Sequence, residues 1–243
     1  ACQELFGRAL ALEPALRERM QIVTKCGIML LSANRPAHTL KHYDTGRAHI
    51  VASAERSLVE LGTGHLDLLL IHRPDPLTDP DEVAEAFASL RQSGKVLHFG
   101  VSNFTPSQFE LLASRLDFPV VTNQVELSVL NMEVLHDGTA DQCLRLGVAP
   151  MAWSPLGGGR LFDQADEQAV RVRRALLSVG EDLGASIDQV ALAWILAHPA
   201  RFLPVLGTGK IERVQSAAQA ETLSLSREQW FSIWSASMGE PVP

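Results

Sequence analysis

Short apolar runs alternate along the chain with longer segments whose apolar positions recur every three or four residues. Six of the short runs read as strands: QIVTKC at 21–26, LDLLLI at 66–71, VLHFGV at 96–101, VVTNQV at 120–125, VAPMAW at 148–153 and FLPVLG at 202–207. The longer segments read as helices with start and stop signals. QELFGRALAL at 3–12 has helical spacing, with Leu5 and Ala9 on one side and Phe6 and Leu10 beside them. Ile50, Ala54, Leu58 and Leu61 form a stripe that Gly62 closes. Asp79, Pro80 and Glu82 supply an N-cap, a first-turn proline and an N-terminal acid for a helix that buries Val83, Phe87 and Leu90 and stops at Gly94. Thr105 and Pro106 start another, burying Phe109 and Leu112, and Ser226 with Gln229 makes a capping box for the last.

Strands this apolar cannot face water, so alternating β and α elements imply a parallel sheet covered by helices. Six strands fit a doubly wound sheet, and they fit equally a (β/α)8 barrel lacking its first two units. Periodicity does not separate the two. No internal repeat, low-complexity segment or composition shift marks a second domain, so residues 1–243 read as one domain. The first residue is Ala and helical spacing begins at once, which reads as a chain starting partway through a fold.

Both architectures gather ligands at the carboxyl ends of the strands. Those ends are unusually polar: Lys25, then His72, Ser102 with Asn103, Asn123 with Gln124, Trp153 with Ser154, and finally the stretch from Gly207 to Lys210. Stability alone gives no reason for a polar or aromatic group at every strand end. A lysine after a strand is ordinarily solvated and a lone histidine ordinarily packs, so the recurrence carries the argument. Arg73 and Asp75 read as a local ion pair.

Charge and cysteines narrow the picture. Of 243 residues 46% are hydrophobic, enough for one large core or two small ones, and a net charge of -7 argues against a nucleic-acid binder, which needs a basic face. Cys2, Cys26 and Cys143 follow no metal-ligand spacing and cannot all pair, which suggests reduced thiols in a cytoplasm. No apolar run approaches the roughly 20 residues of a membrane span. A hydrolase using His72 and Asp75 around a metal is disfavoured, because no second histidine or carboxylate pair recurs at strand ends with ligand spacing.

The segments IVTKCGI, DLLLIHRPDP, GKVLHFGVSNF, TNQVEL, MAWSPLGGGRL and LGTGKIERV, in this order and spread over almost the whole chain, resemble the aldo-keto reductase superfamily. The resemblance implies a (β/α)8 barrel whose strands three to eight are the six above, followed by a C-terminal helix, and an activity that reduces aldehydes or ketones with NADPH. It implies that Lys25 and His72 are catalytic. The family's acid, a tyrosine, and its aspartate belong just after barrel strand two, before the helix that opens this chain; Tyr43 matches a loop segment of the family. Ser102, Asn103 and Gln124 match residues that hold the nicotinamide carboxamide, and Trp153 the aromatic that stacks on the nicotinamide ring. Ser154, Leu156, Gly158 and Arg160 fall in the loop around the pyrophosphate, while Gly207, Thr208, Gly209, Lys210 and Arg213 fall at the adenosine phosphate. Many relatives carry a lysine where this chain has Gly207. The alternative is a nucleotide-binding relative without turnover, acting in redox sensing or regulation. The loops at 29–44 and 128–137 contain nothing that selects one carbonyl compound.

Overall fold

A computed structural model of the protein describes residues 2–32, 36 and 38–242. Residues 33–35 and 37, within the stretch expected to be a loop, and residue 1 lie outside the described residues. The chain divides into two compact units, Ala1–Asn123 and Gln124–Pro243. In order, the first holds α1 (Cys2–Leu12), β1 (Val23–Cys26), β2 (Ile28–Met29), β3 (His42–Tyr43), α2 (Arg47–Leu61), β4 (Leu66–Ile71), α3 (Pro80–Gln92), β5 (Val96–Ser102) and α4 (Pro106–Ala113). β6 (Val120–Glu126) runs through the division. The second unit adds α5 (Thr139–Leu146), β7 (Met151–Trp153), α6 (Glu167–Leu183), α7 (Ile187–Leu196), β8 (Leu203–Pro204), α8 (Ile211–Gln219) and α9 (Arg227–Met238). All six expected strands form. The fifth and sixth are shorter than their apolar runs: Pro150 precedes β7, and β8 ends at Pro204, which cannot donate to a ladder.

In the first unit the parallel order is β1-β4-β5-β6. Register pairs Lys25 with Leu70, Cys26 with Ile71, and Ile71 in turn with Val101. Because successive side chains alternate, Leu69, Ile71, Phe99 and Val101 share one face and Leu70, Gly100 and the residues level with them share the other. Helices cover the first of these faces. Phe87 of α3 stacks on Phe99 with centroids 4.2 Å apart, and Gln3 of α1 donates to Thr24 of β1 (2.6 Å) and Ser57 of α2 (3.1 Å). At the amino ends of the strands, Asp67 accepts the Ile22 amide (2.7 Å) and meets Arg17 (2.8 Å), which fixes where β1 enters beside β4.

Helix boundaries follow the sequence signals. Asp79 accepts the Asp81 amide at the start of α3, Thr105 and Gln108 form a capping box for α4, and Ser226 and Gln229 do so for α9. In the second unit, β7 pairs with β6 and β8, and α6, α7 and α9 enclose Leu176, Val190, Trp194, Phe202 and Ile233. Trp194 of α7 and Trp230 of α9 stack at 4.6 Å, and each indole N–H donates to the other residue's carbonyl at 3.1 Å. Burying an indole is favourable only when its N–H is satisfied, and here the two solve that problem for each other.

Gly100 is a point of close approach on the sheet face opposite the helices. A Cβ there would meet Leu70 Cδ2 at 2.6 Å, Thr122 Cγ2 at 2.7 Å and the Thr122 carbonyl at 2.9 Å. Gly100→Ala is expected to cost about 1–3 kcal/mol by overpacking. Gly209→Ala, where a Cβ would meet nothing within 4 Å, is expected to stay within about 0.5 kcal/mol of wild type. Urea unfolding of both variants checks this, and equal midpoints would show that Leu70 and Thr122 yield freely.

Candidate active site

The sheet face opposite the helices carries the candidate chemistry of the first unit. Lys25 lies level with Leu70 and Gly100, while His72 and Ser102 follow Ile71 and Val101 one step on, so all three share that face and the carboxyl end of the strands. The His72 amide continues the ladder by donating to the Cys26 carbonyl at 2.9 Å, which holds its backbone to the end of β1. Pro74 and Pro76 then turn the chain away. Ser102 is buried, and Asn103 next to it adopts a left-handed backbone (φ 60°) from which its Nδ2 donates to Ser102 Oγ at 2.8 Å. A non-glycine residue in this region is uncommon and tends to occur where a side chain is being aimed.

The electrostatics of this cluster are one-sided. His72 loses solvation through burial, and Lys25, Arg73 and Lys41 add positive charge around it, so its pKa falls to about 4 and the imidazole is neutral at physiological pH. Lys25 is also lowered from the ordinary lysine value, first by lost hydration and then by Arg73. Arg73 therefore acts on the site. The Asp75 carboxylate accepts from the Thr45 hydroxyl (3.1 Å) and, in an Asx turn, from the Leu77 amide (2.9 Å), because a short acid next to a turn reaches local N–H groups readily. Cys26, one residue from Lys25, faces the helices; burial and then Asp44 push its thiol up to about 12.

The second unit contributes a separate set. Gln124 of β6 lies level with Met151, and Trp153 follows two positions later, so both occupy one face, where Gln124 Nε2 reaches Met151 Sδ at 3.6 Å. Ser154 after β7 has a left-handed backbone (φ 51°), and Gly157, Gly158 and Gly159 follow with φ of 64°, 61° and 98°. Such a run of positive φ is open to glycine and hardly to other residues. Ser154, Leu156, Gly158, Gly207, Thr208 and Arg213 line a cleft of about 680 Å³. Gly209 and Lys210 flank it at the start of α8 without lining it. Arg160 points elsewhere: its Nε and one terminal nitrogen bind Asp166 at 3.0 and 2.7 Å, and the same nitrogen reaches Gln168. The Ala169 amide and then Arg160 hold the Asp166 carboxyl below its ordinary range.

The aldo/keto reductase family model matches residues 1–237. The chain belongs to this family. It is 57% identical over 243 residues to an oxidoreductase of Escherichia coli K12, YdhF, covering 100% of this chain and 80% of that protein. It is 43% identical over 240 residues to a 6-dehydroglucose reductase of Agrobacterium fabrum, covering 99% of this chain and 80% of that protein. Among solved structures it is similar to the thermostable aldo-keto reductase Tm1743, crystallised with the inhibitor epalrestat: TM-score 0.81, 29% identity, 96% of this chain and 77% of that one. The strand order and the structural likeness agree on a parallel α/β fold, and the family match with its oxidoreductase relatives supports oxidoreductase chemistry.

Several site residues of this reductase-family chain escaped the sequence reading. Asp188, Leu192 and Ala217 also line the second-unit cleft, and Lys41 joins the field around His72. The Ser186–Gln189 capping box at the start of α7 was the available signal for Asp188. Lys41 carries no signal, since only the hairpin of β2 and β3 brings it near.

The shift of His72 has a stability consequence with a definite sign. Its folded pKa of about 4 lies below the ordinary 6.5, so below pH 6.5 the unfolded chain takes up a proton that the folded chain refuses. Stability is full above about pH 6.5 and declines as pH falls toward 4. His72→Gln is expected to flatten that part of the profile. Thermal melts of both proteins between pH 7.5 and 4.5 check it, and parallel profiles would show that His72 is solvated.

Proposed function

We propose that the protein is an NADPH-dependent reductase of aldehydes or ketones, a single domain of the (β/α)8 type over residues 1–243 that works in a cytoplasm. The observation that supports this most is the neutral His72 beside cationic Lys25 at one sheet end. Carbonyl reduction needs a donor where the oxygen gains negative charge, and a neutral imidazole N–H with an adjacent ammonium supplies hydrogen bonding and field there. Lys25 and His72 are the catalytic residues in this reading. Tyr43, exposed on β3, has no role in it.

The residues present fit a phosphorylated dinucleotide. Arg213 and Lys210 have no carboxylate partner among the described residues, the second-unit cleft is lined by Arg213, and Gly207 and Gly209 leave open space for a ligand to reach the backbone. When bound, the nicotinamide supplies the hydride. Ser102, Asn103 and Gln124 hold its carboxamide, Trp153 offers a flat ring to it, and Ser154, Leu156 and Gly158 line the path of the pyrophosphate. Thr208, Gly209, Lys210 and Arg213 take the adenosine phosphate, where two cations favour the extra charge of NADPH over NADH. Arg160 reaches phosphate in this reading only by leaving Asp166. The free thiols of Cys2, Cys26 and Cys143 suit a reducing compartment.

Lys25→Met and His72→Ala are each expected to lower kcat by about 10²–10⁴-fold on a panel of aldehydes and ketones. NADPH binding measured by calorimetry is expected to stay near wild type in both. Arg213→Ala is expected to weaken NADPH about tenfold or more and NADH much less. Tighter binding of NADH than NADPH by the wild type would defeat the cofactor assignment, and nucleotide binding without reduction of any carbonyl would favour the non-catalytic relative.

A further inference from the structure

The hairpin of β2 and β3 stands on the strand end that carries Lys25 and His72. Gly27 leads from β1 directly into β2, and the Asp44 amide returns to the Gly27 carbonyl at 3.0 Å. Between them Ile28 pairs with Tyr43 and Met29 with His42. One residue further on, the buried Thr45 hydroxyl meets Asp75 Oδ2 at 3.1 Å and Thr78 Oγ1 at 2.8 Å, in the turn that follows His72. The returning strand is thus tied at its exit both to β1 and to the turn after β4. Lys41, the residue that enters this strand, belongs to the same end of the sheet.

The hairpin supplies charge of one sign. Between Glu18 and Asp44 the sequence has no acidic residue. The acids at the hairpin's exit are engaged elsewhere: Asp44 Oδ1 accepts the Gly46 amide at 3.0 Å and Oδ2 lies 3.7 Å from His49 Nδ1, while Asp75 accepts from Thr45 and Leu77. Lys41 is exposed and has no carboxylate partner among the described residues. Lys25, Arg73 and Lys41 are the charges that act on His72. A field of one sign over a low-dielectric surface gathers small anions and speeds their encounter. The dinucleotide phosphates, assigned to Arg213 and Lys210 of the second unit, leave these cations unused, and a carbonyl group is neutral before it reacts. The remaining source of negative charge is the rest of the substrate. An anion bonded directly to the carbonyl carbon would meet Lys25 and His72, whereas Lys41 lies on a separate element. The charge that Lys41 meets therefore lies several bonds from the carbonyl.

We propose that Lys41 is a specificity-determining residue which, within the field of Arg73, selects carbonyl substrates that carry a carboxylate or phosphate group several bonds from the carbonyl. This rests on the reductase reading of Lys25 and His72. Both anions are acceptor-only and suit the three donors of an ammonium group. The stretch 29–44 offers no shape that selects one carbonyl compound, yet it places a charge, and a charge selects a class.

Steady-state reduction by NADPH of matched charged and neutral carbonyl compounds tests the proposal. The pairs are succinic semialdehyde with its methyl ester, glyceraldehyde phosphate with glyceraldehyde, and pyruvate with methyl pyruvate. In the first two pairs the wild type is expected to favour the anion about tenfold in kcat/KM, chiefly through KM. That preference is expected to shrink as salt rises from about 0.01 M to about 0.15 M, where the screening length falls from about 30 Å to about 8 Å. Lys41→Gln is expected to lower the charged-to-neutral ratio about threefold, Lys41→Glu to abolish the preference, and Lys41→Arg to retain it. The pyruvate ratio is expected to be the same in wild type and Lys41→Gln, because that carboxylate adjoins the carbonyl. A preference in only one of the first two pairs supports the proposal for that anion alone. Equal kcat/KM within both pairs in the wild type, or a ratio unchanged in Lys41→Gln and Lys41→Glu, would overturn the proposal while leaving the reductase reading intact. Turnover of none of the six compounds would remove the reductase reading and the proposal with it.

Discussion

The two-residue period of a β-strand, locked in register by parallel pairing, is the constraint on which the first unit rests. Once Lys25 is level with Leu70 and Ile71 with Val101, the faces of β1, β4 and β5 are no longer independent. Apolar residues that need the helices take one face, and Lys25, His72 and Ser102 are left with the other. A slip of one residue in any strand would bury a charge under α2 or α3 and expose Leu69 or Phe99, which makes the register self-enforcing. The site thus inherits its geometry from the packing requirement of the opposite face.

Charge then tunes what register has assembled. Lys25, Arg73 and Lys41 surround His72 with like sign, and burial reinforces them. A histidine in this field works as a neutral hydrogen-bonding group, so its contribution comes from orientation while that of Lys25 comes from potential. The second unit divides the same labour differently. Its glycines keep the backbone approachable, Arg213 has no carboxylate partner among the described residues, and Arg160 is committed to Asp166.

Much of this was legible in the chain because it depends on local chemistry. All six strands and the capped starts of α3, α4 and α9 were readable from apolar runs and from Asp79, Thr105 and Ser226. His72 stood out because an apolar strand ends on it. What remained hidden depends on contacts distant in sequence. Asp75 accepts from Thr45, thirty residues away, a contact that no local pattern announces. Asp188 entered the cleft through α7, a helix so apolar that its face gave no amphipathic stripe. The hairpin of β2 and β3, with two residues in each strand, is too short for any periodicity to announce it.

Cys26 shows how sharply a strand separates chemistries. It is covalently next to Lys25, and an ammonium that close would ordinarily encourage a thiolate. Alternation sends the sulfur to the helix-covered side, where burial and the Asp44 carboxylate keep it protonated far above physiological pH. Alkylating agents and peroxide act on thiolates they can reach, and Cys26 offers neither charge nor access. The cationic surface one residue away accordingly carries no redox liability of its own.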